Sequence, residues 1–194
     1  MAKVNHAASR QRLIDSAVRL IRRQGYAGTG VNEIAREGNA PMGSFYYHFP
    51  GGKEELAATA MRTGAEAYGR LIARALGQDG DLPTRVSRIA LATAESLASN
   101  DFVLGCPVAT TALETVTTSP PLRQESQQAF ENWAALIHAA ALAEGIEHDK
   151  AEELAMNVLS LVEGAELIAR VQASAEPLHA AARAIATLCR DLME

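Results

Sequence analysis

Cysteines, aromatic residues and long apolar runs are all scarce in this sequence, and each scarcity argues against a class of protein. Only two cysteines occur among 194 residues, Cys106 and Cys189, so neither a disulfide scaffold nor a cysteine zinc site is expected, and a reducing compartment fits. No apolar run reaches the roughly 18 residues of a membrane helix, and the polar beginning MAKVNHAASRQR lacks the apolar core of a secretion signal. The sequence therefore predicts a globular, cytoplasmic protein without a membrane partner.

Motifs of enzymes and metal sites are also missing. The five histidines form no HExxH motif and no Glu-x-x-His pair on an apolar face, and neither a glycine-rich phosphate loop nor GxSxG occurs. We therefore predict no catalytic residue, no metal site and no cofactor. An all-helical enzyme stays open as an alternative function at this point.

Charge is distributed unevenly along the chain, whose overall net charge is −5. Residues 1–53 carry eight basic and three acidic residues, a net of +5, whereas residues 54–194 carry ten basic and twenty acidic residues, a net of −10. A basic head on an acidic body is typical of a head that meets a polyanion. Chance clustering on a solvated surface would give the same excess, and the acidic body is a poor fit for an architectural protein that binds DNA without specificity.

Apolar residues recur at helical spacing through nearly the whole chain, without persuasive strand alternation or an internal repeat. Leu13, Ala17 and Ile21, for example, share one stripe opposite several arginines. Proline- and glycine-containing stretches interrupt the pattern. The sequence therefore predicts an all-α fold of about nine helices, over residues 8–24, 31–37, 41–49, 53–76, 84–99, 107–115, 121–144, 150–173 and 177–192.

The stretch GNAPMGSFYYHFPGGKEEL, residues 38–56, is too polar for plain core and too aromatic for a plain loop. Two short helices joined by a tight turn and packed on a first helix form a helix-turn-helix. The turn would be Gly38-Asn39-Ala40, because glycine and asparagine both tolerate the positive φ that such a turn needs.

A helical wheel of the second short helix separates its aromatic residues. Phe45 and Phe49 share one face and are expected to anchor it in the core, whereas Gly43 and Tyr47 face outward. A glycine on the outer face lets a helix approach base edges closely. The wheel therefore predicts that this helix enters a groove of DNA.

The flanks of the same helix suit phosphate groups. Tyr46 and His48 can each donate a hydrogen bond to a phosphate at one side of the groove. Lys53 is expected at the start of the next helix, where its ammonium and the helix N–H groups both favour a phosphate. The alternative, that the aromatic residues only cover the core, suits Phe45 and Phe49 but not three consecutive polar aromatic residues.

The segment TGVNEIAREGNAPMGSFYYHFPGGKEEL resembles the DNA-binding region of TetR-family transcriptional regulators. The matching elements are Gly25-Tyr26, Thr29, Ile34-Ala35, Gly43-Ser44, Tyr46, His48, Phe49 and Lys53. The resemblance implies a repressor that binds a palindromic double-stranded operator as a homodimer. It implies phosphate contacts from Thr29, Tyr46, His48 and Lys53, and base contacts from Pro41, Met42, Gly43, Ser44 and Tyr47.

Three positions depart from the family pattern. Gly30 stands where serine or threonine is usual, so one capping or phosphate-binding hydroxyl is absent. Asn39 occupies a position that is often glycine, and it still suits the left-handed region. Met42 replaces a frequent lysine, which removes one phosphate or guanine contact but leaves a group that can touch a thymine methyl. We expect an altered operator and a weaker salt dependence, with DNA binding retained.

The spacing FPGGKEEL and the stretch GCPVATTALE, residues 105–114, resemble the LmrA/YxaF-like subgroup of this family. The subgroup implies sensing of small hydrophobic, drug-like or flavonoid-like effectors, with repression relieved on binding. The implied organisation is a helix-turn-helix DNA-binding domain over residues 1–52, followed by a ligand-binding and dimerisation domain over residues 53–194.

The body supplies apolar walls and a few polar groups for an effector pocket, although ordinary core would give the same pattern. Cys106 is either a redox-active thiol near a helix start or an inert small apolar residue. The predicted effector-binding residues are Met61, Tyr68, Phe102, Leu104, Cys106, Thr110, Trp133, Ile137, Met156, Leu159 and Glu163.

The last two predicted helices alternate large aliphatic residues with alanine, serine and Gly164. Small residues allow close helix contacts, so these helices can pair with their symmetry mates in a four-helix interface. An intramolecular bundle is the alternative. A dimer also suits DNA recognition, because it reads two half-sites about 34 Å, or a multiple of that distance, apart.

Overall fold

The computed structural model describes residues 6–193, and all regular structure in that range is helical, as the sequence predicts. Residues 1–5 and Glu194 lie outside it, including Lys3 of the basic head and the outer ends of both predicted domains. No helix within the range is long and apolar enough to cross a membrane. The nine helices of this part of the chain are α1 (His6–Gln24), α2 (Val31–Glu37), α3 (Met42–His48), α4 (Gly52–Leu76), α5 (Leu82–Ala98), α6 (Ala109–Thr115), α7 (Pro120–Ala143), α8 (His148–Gln172) and α9 (Glu176–Met193).

Two helices begin later than predicted, and both follow a proline. Pro41 was expected as the first helical residue, but its ψ of 146° is extended, so it is the N-cap of α3. Helix α6 was expected from Pro107, yet it begins at Ala109. Proline fixes φ near the helical value without fixing ψ, so it marks the neighbourhood of a helix start without deciding the residue.

The chain packs into two compact units. The first comprises the described residues up to Ala65 together with Cys106–Gln127, and the second comprises Glu66–Gly105 together with the described residues from Gln128 onward. The boundary expected between residues 52 and 53 lies within the first unit, at the start of α4. The division of the chain into functional domains at that boundary stays a prediction.

The first unit is built around the apolar stripe of α1. Leu13 and Ala17 are fully buried, and helices α2 and α3 both pack against α1. Ile34 of α2 and Phe45 of α3 are buried as well. These contacts hold the two short helices in place, since helices of seven residues are marginal on their own.

The second unit is organised by the packing of α5 against α8 and α9. Ile89, Val158 and Ile185 are fully buried, one from each of these helices. Asp81 caps α5 by accepting a hydrogen bond from the N–H of Thr84. That bond holds the pKa of the Asp81 carboxyl below its ordinary value.

Candidate nucleic-acid interface

The turn between α2 and α3 uses its two special residues differently. Asn39 adopts a positive φ of 46°, as expected, but Gly38 has a φ of −74°, so the expectation of positive φ is wrong for Gly38. A Cβ at Gly38 would crowd the carbonyl oxygens of Arg12 and Ile34, each at 3.1 Å. Gly38 therefore serves close packing against α1, while Asn39 makes the turn.

Helix α3 separates its aromatic side chains as the wheel predicts. Phe45 and Phe49 are fully buried, whereas Tyr46 is 58% and Tyr47 69% exposed. The two phenylalanine rings lie 6.0 Å apart and anchor the helix from beneath. The exposed tyrosines are thus carried by a helix whose orientation is fixed by its buried face.

Gly43 presents an open position on the same helix. It is exposed, and no heavy atom lies within 4 Å of the place where its Cβ would be. Pro41 is also exposed, and Met42 is half-buried. A partner molecule can therefore approach the backbone closely at Gly43, as the helical wheel predicts.

His48 and Lys53 are both partly covered. The His48 ring packs edge-on against Tyr47, with 5.0 Å between ring centroids. The ammonium of Lys53 lies 4.2 Å from the centroid of the Tyr26 ring, within the range of a cation–π interaction. Burial lowers the pKa of Lys53, and the negative charge of Glu114 raises it.

Two other predicted DNA contacts make internal hydrogen bonds. Thr29 is fully buried, and its hydroxyl donates to the carbonyl oxygen of Gly25 at 2.7 Å. The geometry thus gives Thr29 a role in the α1–α2 turn and lends no support to its predicted phosphate contact. The Ser44 hydroxyl lies 2.7 Å from that of Ser9 on α1, which leaves part of its hydrogen-bonding capacity for a base.

Gly30 is the N-cap of α2, with an extended backbone and no side-chain capping bond. Glu33 instead accepts a hydrogen bond from Gln24, at 2.8 Å. The first turn of α2 therefore lacks the hydroxyl that the family pattern supplies. This local deficit was readable from the sequence.

Arg10 lies beside α3, and the sequence did not single it out. Its guanidinium carbon lies 5.3 Å from the centroid of the Phe49 ring, which places an exposed cation at the end of α3. Arg12 instead donates to the carbonyl oxygen of Gly38, and Arg19 pairs with Glu37. The count of basic residues predicted a basic head, but not which cation lies beside α3.

The predicted effector residues are divided between the two units. In the first unit, Met61 and Cys106 are buried, and Thr110 donates to the carbonyl oxygen of Cys106 at 2.8 Å. The Cys106 sulfur accepts a hydrogen bond from the N–H of Ala109 at 3.4 Å. Within residues 6–193, no group of three potential ligands is arranged to hold a metal ion.

The second unit brings Tyr68 and Trp133 together. Their ring centroids lie 4.7 Å apart, and Phe130 packs on the other side of Trp133 at 5.3 Å. The Tyr68 hydroxyl lies 3.0 Å from that of Thr93. Phe130 and Thr93 were not predicted, because neither stands out by composition or spacing before α5 and α7 are placed.

The remaining candidates occupy mixed environments. Ile137 and Leu159 are buried, whereas Met156 is 62% exposed. Phe102, Leu104 and Glu163 are half-buried. An exposed methionine does not suit an enclosed pocket, so the geometry gives no support to Met156 as an effector contact.

A separate groove in the second unit has a volume of about 460 Å³. It lies between the second half of α4 and α5, and polar residues such as Gln78, Glu95 and Ser96 contribute to its lining. None of the predicted effector residues lines it.

One face of α8 is apolar and exposed. Leu167 is 57%, Ile168 49% and Val171 81% exposed. Gly164 lies exposed on the same helix, with no heavy atom within 4 Å of a Cβ built there. With Met156, these residues form the "α8 face", an apolar surface that the described chain leaves uncovered.

The first unit as a whole defines a class of protein. A three-helix head that carries a short helix with exposed tyrosines is the architecture of a helix-turn-helix transcriptional regulator. Residues 13–60 match the family of bacterial regulatory proteins called tetR, and residues 83–184 match the C-terminal domain of LmrA/YxaF-like transcriptional regulators. The chain belongs to the TetR family, and proteins of this family are transcriptional regulators rather than enzymes.

Individual relatives agree with this assignment. The chain is 32% identical to the transcriptional regulator LmrA of Bacillus subtilis over 90% of this chain and 93% of the relative. It is 31% identical to the regulator YxaF of the same organism, over 94% and 95% of the two chains. A crystal structure of a TetR regulatory protein from Rhodobacter sphaeroides is similar with a TM-score of 0.81, at 26% identity over 91% of this chain and 96% of that one.

Proposed function

We propose that the protein is a repressor that binds a palindromic operator as a homodimer and releases it when a small hydrophobic molecule binds. The observation that carries the proposal is the pair of exposed tyrosines on α3, fixed from beneath by Phe45 and Phe49. An exposed, rigidly held helix with hydrogen-bonding tips suits a DNA groove. A regulator that acts on DNA would work in the cytoplasm.

The proposed DNA contacts divide into two groups. Gly43, Ser44 and Tyr47, with Pro41 and Met42, are proposed to meet base edges. Tyr46, His48 and Lys53 are proposed to bind phosphates on both sides of the groove, with Thr29 as a less supported member. Arg10, beside Phe49, is added to the residues proposed to bind phosphates, because its guanidinium is exposed.

The α8 face supports a homodimer. Leu167, Ile168 and Val171 expose large aliphatic side chains, and each gains free energy of about 25 cal/mol per Å² when an apolar partner removes it from water. The open site at Gly164 allows two such helices to approach closely. A second copy of this chain brings the same face, which makes a two-fold interface self-complementary.

The aromatic cluster of Tyr68, Phe130 and Trp133 supports an effector site in the second unit. Flat apolar molecules stack on such rings, and the hydroxyl pair of Tyr68 and Thr93 offers a polar anchor. Helix α4 begins next to Lys53 and includes Tyr68. A shift of α4 on effector binding would therefore change the spacing of two DNA-binding heads, and a coupling of about 1–3 kcal/mol is ordinary for such regulation.

The test is selection followed by titration. Duplexes that the purified protein retains from random-sequence DNA should share one palindrome, and fluorescence anisotropy should show much weaker binding to scrambled DNA. A panel of hydrophobic aromatic compounds is then titrated into the complex, and at least one should release the operator. Recovery of unrelated sequences, or a strictly monomeric protein in sedimentation, would contradict the proposal.

A further inference from the structure

The turn between α1 and α2 receives a carboxylate from a distant part of the chain. Glu114, on α6, accepts a hydrogen bond from the backbone N–H of Ala27, with 2.6 Å between Ala27 N and Glu114 Oε2. The two residues are 87 positions apart, so the bond ties α6 to the turn. A charged acceptor makes such a bond stronger than a neutral one.

Gly25 provides the space for this carboxylate. Its φ of 82° lies in the left-handed region, and a Cβ at this position would overlap with Oε1 of Glu114. An L side chain here would thus be strained and would also displace the carboxylate. The turn is therefore shaped to receive Glu114, and the contact is more than the chance meeting of two surfaces.

Tyr26 lies between Gly25 and Ala27, and its ring contacts Lys53, the lysine proposed to bind DNA. The ammonium of Lys53 sits 4.2 Å from the centroid of its ring, close enough for a cation–π interaction. Tyr26 is half-buried, and the ammonium lies over one face of its ring. The position of the ammonium consequently depends on the position of the turn.

A second bond joins the same region of the chain to α4. The buried hydroxyl of Ser119, which follows α6, donates to Oε1 of Glu54 at 2.5 Å. Glu54 is the neighbour of Lys53 in the first turn of α4. Glu114 on α6 therefore contacts the α1–α2 turn, which holds Tyr26, and Ser119 just after α6 contacts the first turn of α4, which holds Lys53.

We propose that Glu114 is a positioning residue for Lys53, so that the phosphate contact of Lys53 depends on the location of α6. The Glu114 carboxylate holds the turn through the Ala27 N–H, the turn fixes the position of the Tyr26 ring, and the ring fixes the position of the Lys53 ammonium. The role of Lys53 on DNA rests on the proposed function, whereas the position of its ammonium does not. Displacement of α6 would release the turn and unseat the lysine without any change at α3.

The first experiment needs no DNA. Hydrogen exchange of the Ala27 amide and the pKa of Lys53 are measured by NMR in the wild type, Glu114→Gln and Glu114→Ala. Exchange at Ala27 should rise about tenfold in Glu114→Ala, by loss of the hydrogen bond, and much less in Glu114→Gln, which keeps an acceptor. The pKa of Lys53 should fall in both, because the charge that raises it is gone. Unchanged Ala27 exchange in Glu114→Ala would overturn the inference.

Glu125→Ala is the matched control. Glu125 forms an ion pair with Arg62 in the same unit, whereas the N–H of Ala27 donates to Glu114. Its replacement removes one carboxylate from the unit while leaving the turn untouched. It should change neither the exchange of the Ala27 amide nor the pKa of Lys53, and equal changes there would remove the specificity claimed for Glu114.

The second experiment is a double-mutant cycle on a duplex selected from random DNA by the wild-type protein. Glu114→Ala should weaken binding about fivefold when Lys53 is present and leave it unchanged in the Lys53→Met background. Equal losses in both backgrounds would show a structural role alone, and no loss in either would refute the positioning role. If the selection yields no duplex, the proposed function fails. The NMR experiment still tests whether Glu114 holds the turn that positions Lys53.

Discussion

Helices α3 and α8 both expose large side chains, but the chemistry of the exposed groups differs. The exposed aromatic residues of α3 are tyrosines, whose hydroxyls can donate to phosphates. The exposed large hydrophobic residues of α8 are aliphatic or thioether side chains without a strong polar group. They gain free energy only by leaving water. The comparison teaches that exposure alone does not identify a partner, whereas the chemistry at the tips of the exposed side chains does.

Both helices also carry an exposed glycine with open space around it, Gly43 on α3 and Gly164 on α8. In each case the folded chain itself would accommodate a side chain. A glycine inside a helix costs about 0.5–1 kcal/mol relative to alanine. We infer that both positions favour a close external approach, by DNA at one and by a second copy at the other.

The largest expected effect comes from removing two of the proposed phosphate-binding groups of the head. Replacing Lys53 by Met and Tyr46 by Phe should weaken operator binding by more than about 100-fold, because a dimer would lose four of the proposed hydrogen bonds to charged phosphates. The slope of log affinity against log salt should fall by about two, one for each lysine of the dimer. Fluorescence anisotropy at several salt concentrations measures both quantities.

The control for this pair is Arg74→Met. Arg74 is exposed near the other end of α4, so its loss changes the net charge equally without touching the head. Operator affinity and salt slope should both stay near the wild-type values. An unchanged operator affinity in the variant that lacks Lys53 and the Tyr46 hydroxyl would contradict the proposal that these groups bind phosphates.

The next effect in size is expected at the α8 face. Val171→Glu should weaken dimerisation about 30-fold, or about 2 kcal/mol, because the interface would bury a carboxylate without a partner. The side chain is 81% exposed in the single chain, so thermal unfolding of the monomer should change little. Sedimentation equilibrium gives the dissociation constant.

Leu113→Glu serves as the matched substitution outside that face. Leu113 lies on α6 and is 78% exposed, so a carboxylate there should leave dimerisation unchanged. Equal weakening by both substitutions would show that the α8 face has no special role in assembly.

A smaller effect distinguishes the two open glycines. Gly43→Ala should stabilise the folded chain by up to about 1 kcal/mol through helix propensity and yet weaken operator binding, since the new methyl group would face the bases. Gly164→Ala should give a similar gain in stability with operator affinity unchanged at saturating dimer. Denaturant unfolding and anisotropy measure the two properties separately. Stronger operator binding by Gly43→Ala would remove the argument for close approach.

The smallest expected effect is at the start of α2. Gly30→Ser should add a side-chain cap and stabilise the chain by a few tenths of a kcal/mol, since the backbone at this position is already that of an N-cap. Its melting temperature should rise by about 1 °C. The new hydroxyl would also stand where the family pattern has one, so any gain in operator affinity can be read in the same anisotropy assay. A lower melting temperature would contradict the cap.

Sequence periodicity was sufficient for the inner and outer faces of α3. Phe45 and Phe49 follow the helical spacing of a buried face, and Tyr47 falls opposite them, which is where the structure places it. Met156 was grouped with the apolar walls of an effector pocket, yet the structure exposes its side chain on the α8 face. A face that a partner would cover has the same pattern as a face buried within the chain, so periodicity cannot separate them.

Contacts between distant segments lay beyond the sequence. Nothing in GCPVATTALE indicates that Glu114 accepts a hydrogen bond from the Ala27 amide, because a glutamate on a short helix usually faces solvent. Phe130 likewise became part of an aromatic cluster only through the packing of α7. Thr29 matched a family position for a phosphate contact, but its hydroxyl is committed to Gly25.

The sequence by itself determined the all-helical fold, the helix-turn-helix head and the chemistry of its exposed helix. These follow from local rules, because helical spacing, turn residues and charge balance act over short stretches of chain. Only the tertiary structure decided that Glu114 meets the α1–α2 turn, that Lys53 sits on Tyr26, and that α8 leaves an apolar face uncovered. Each of these depends on which segments, far apart in the chain, come into contact, and no short stretch of sequence contains that information.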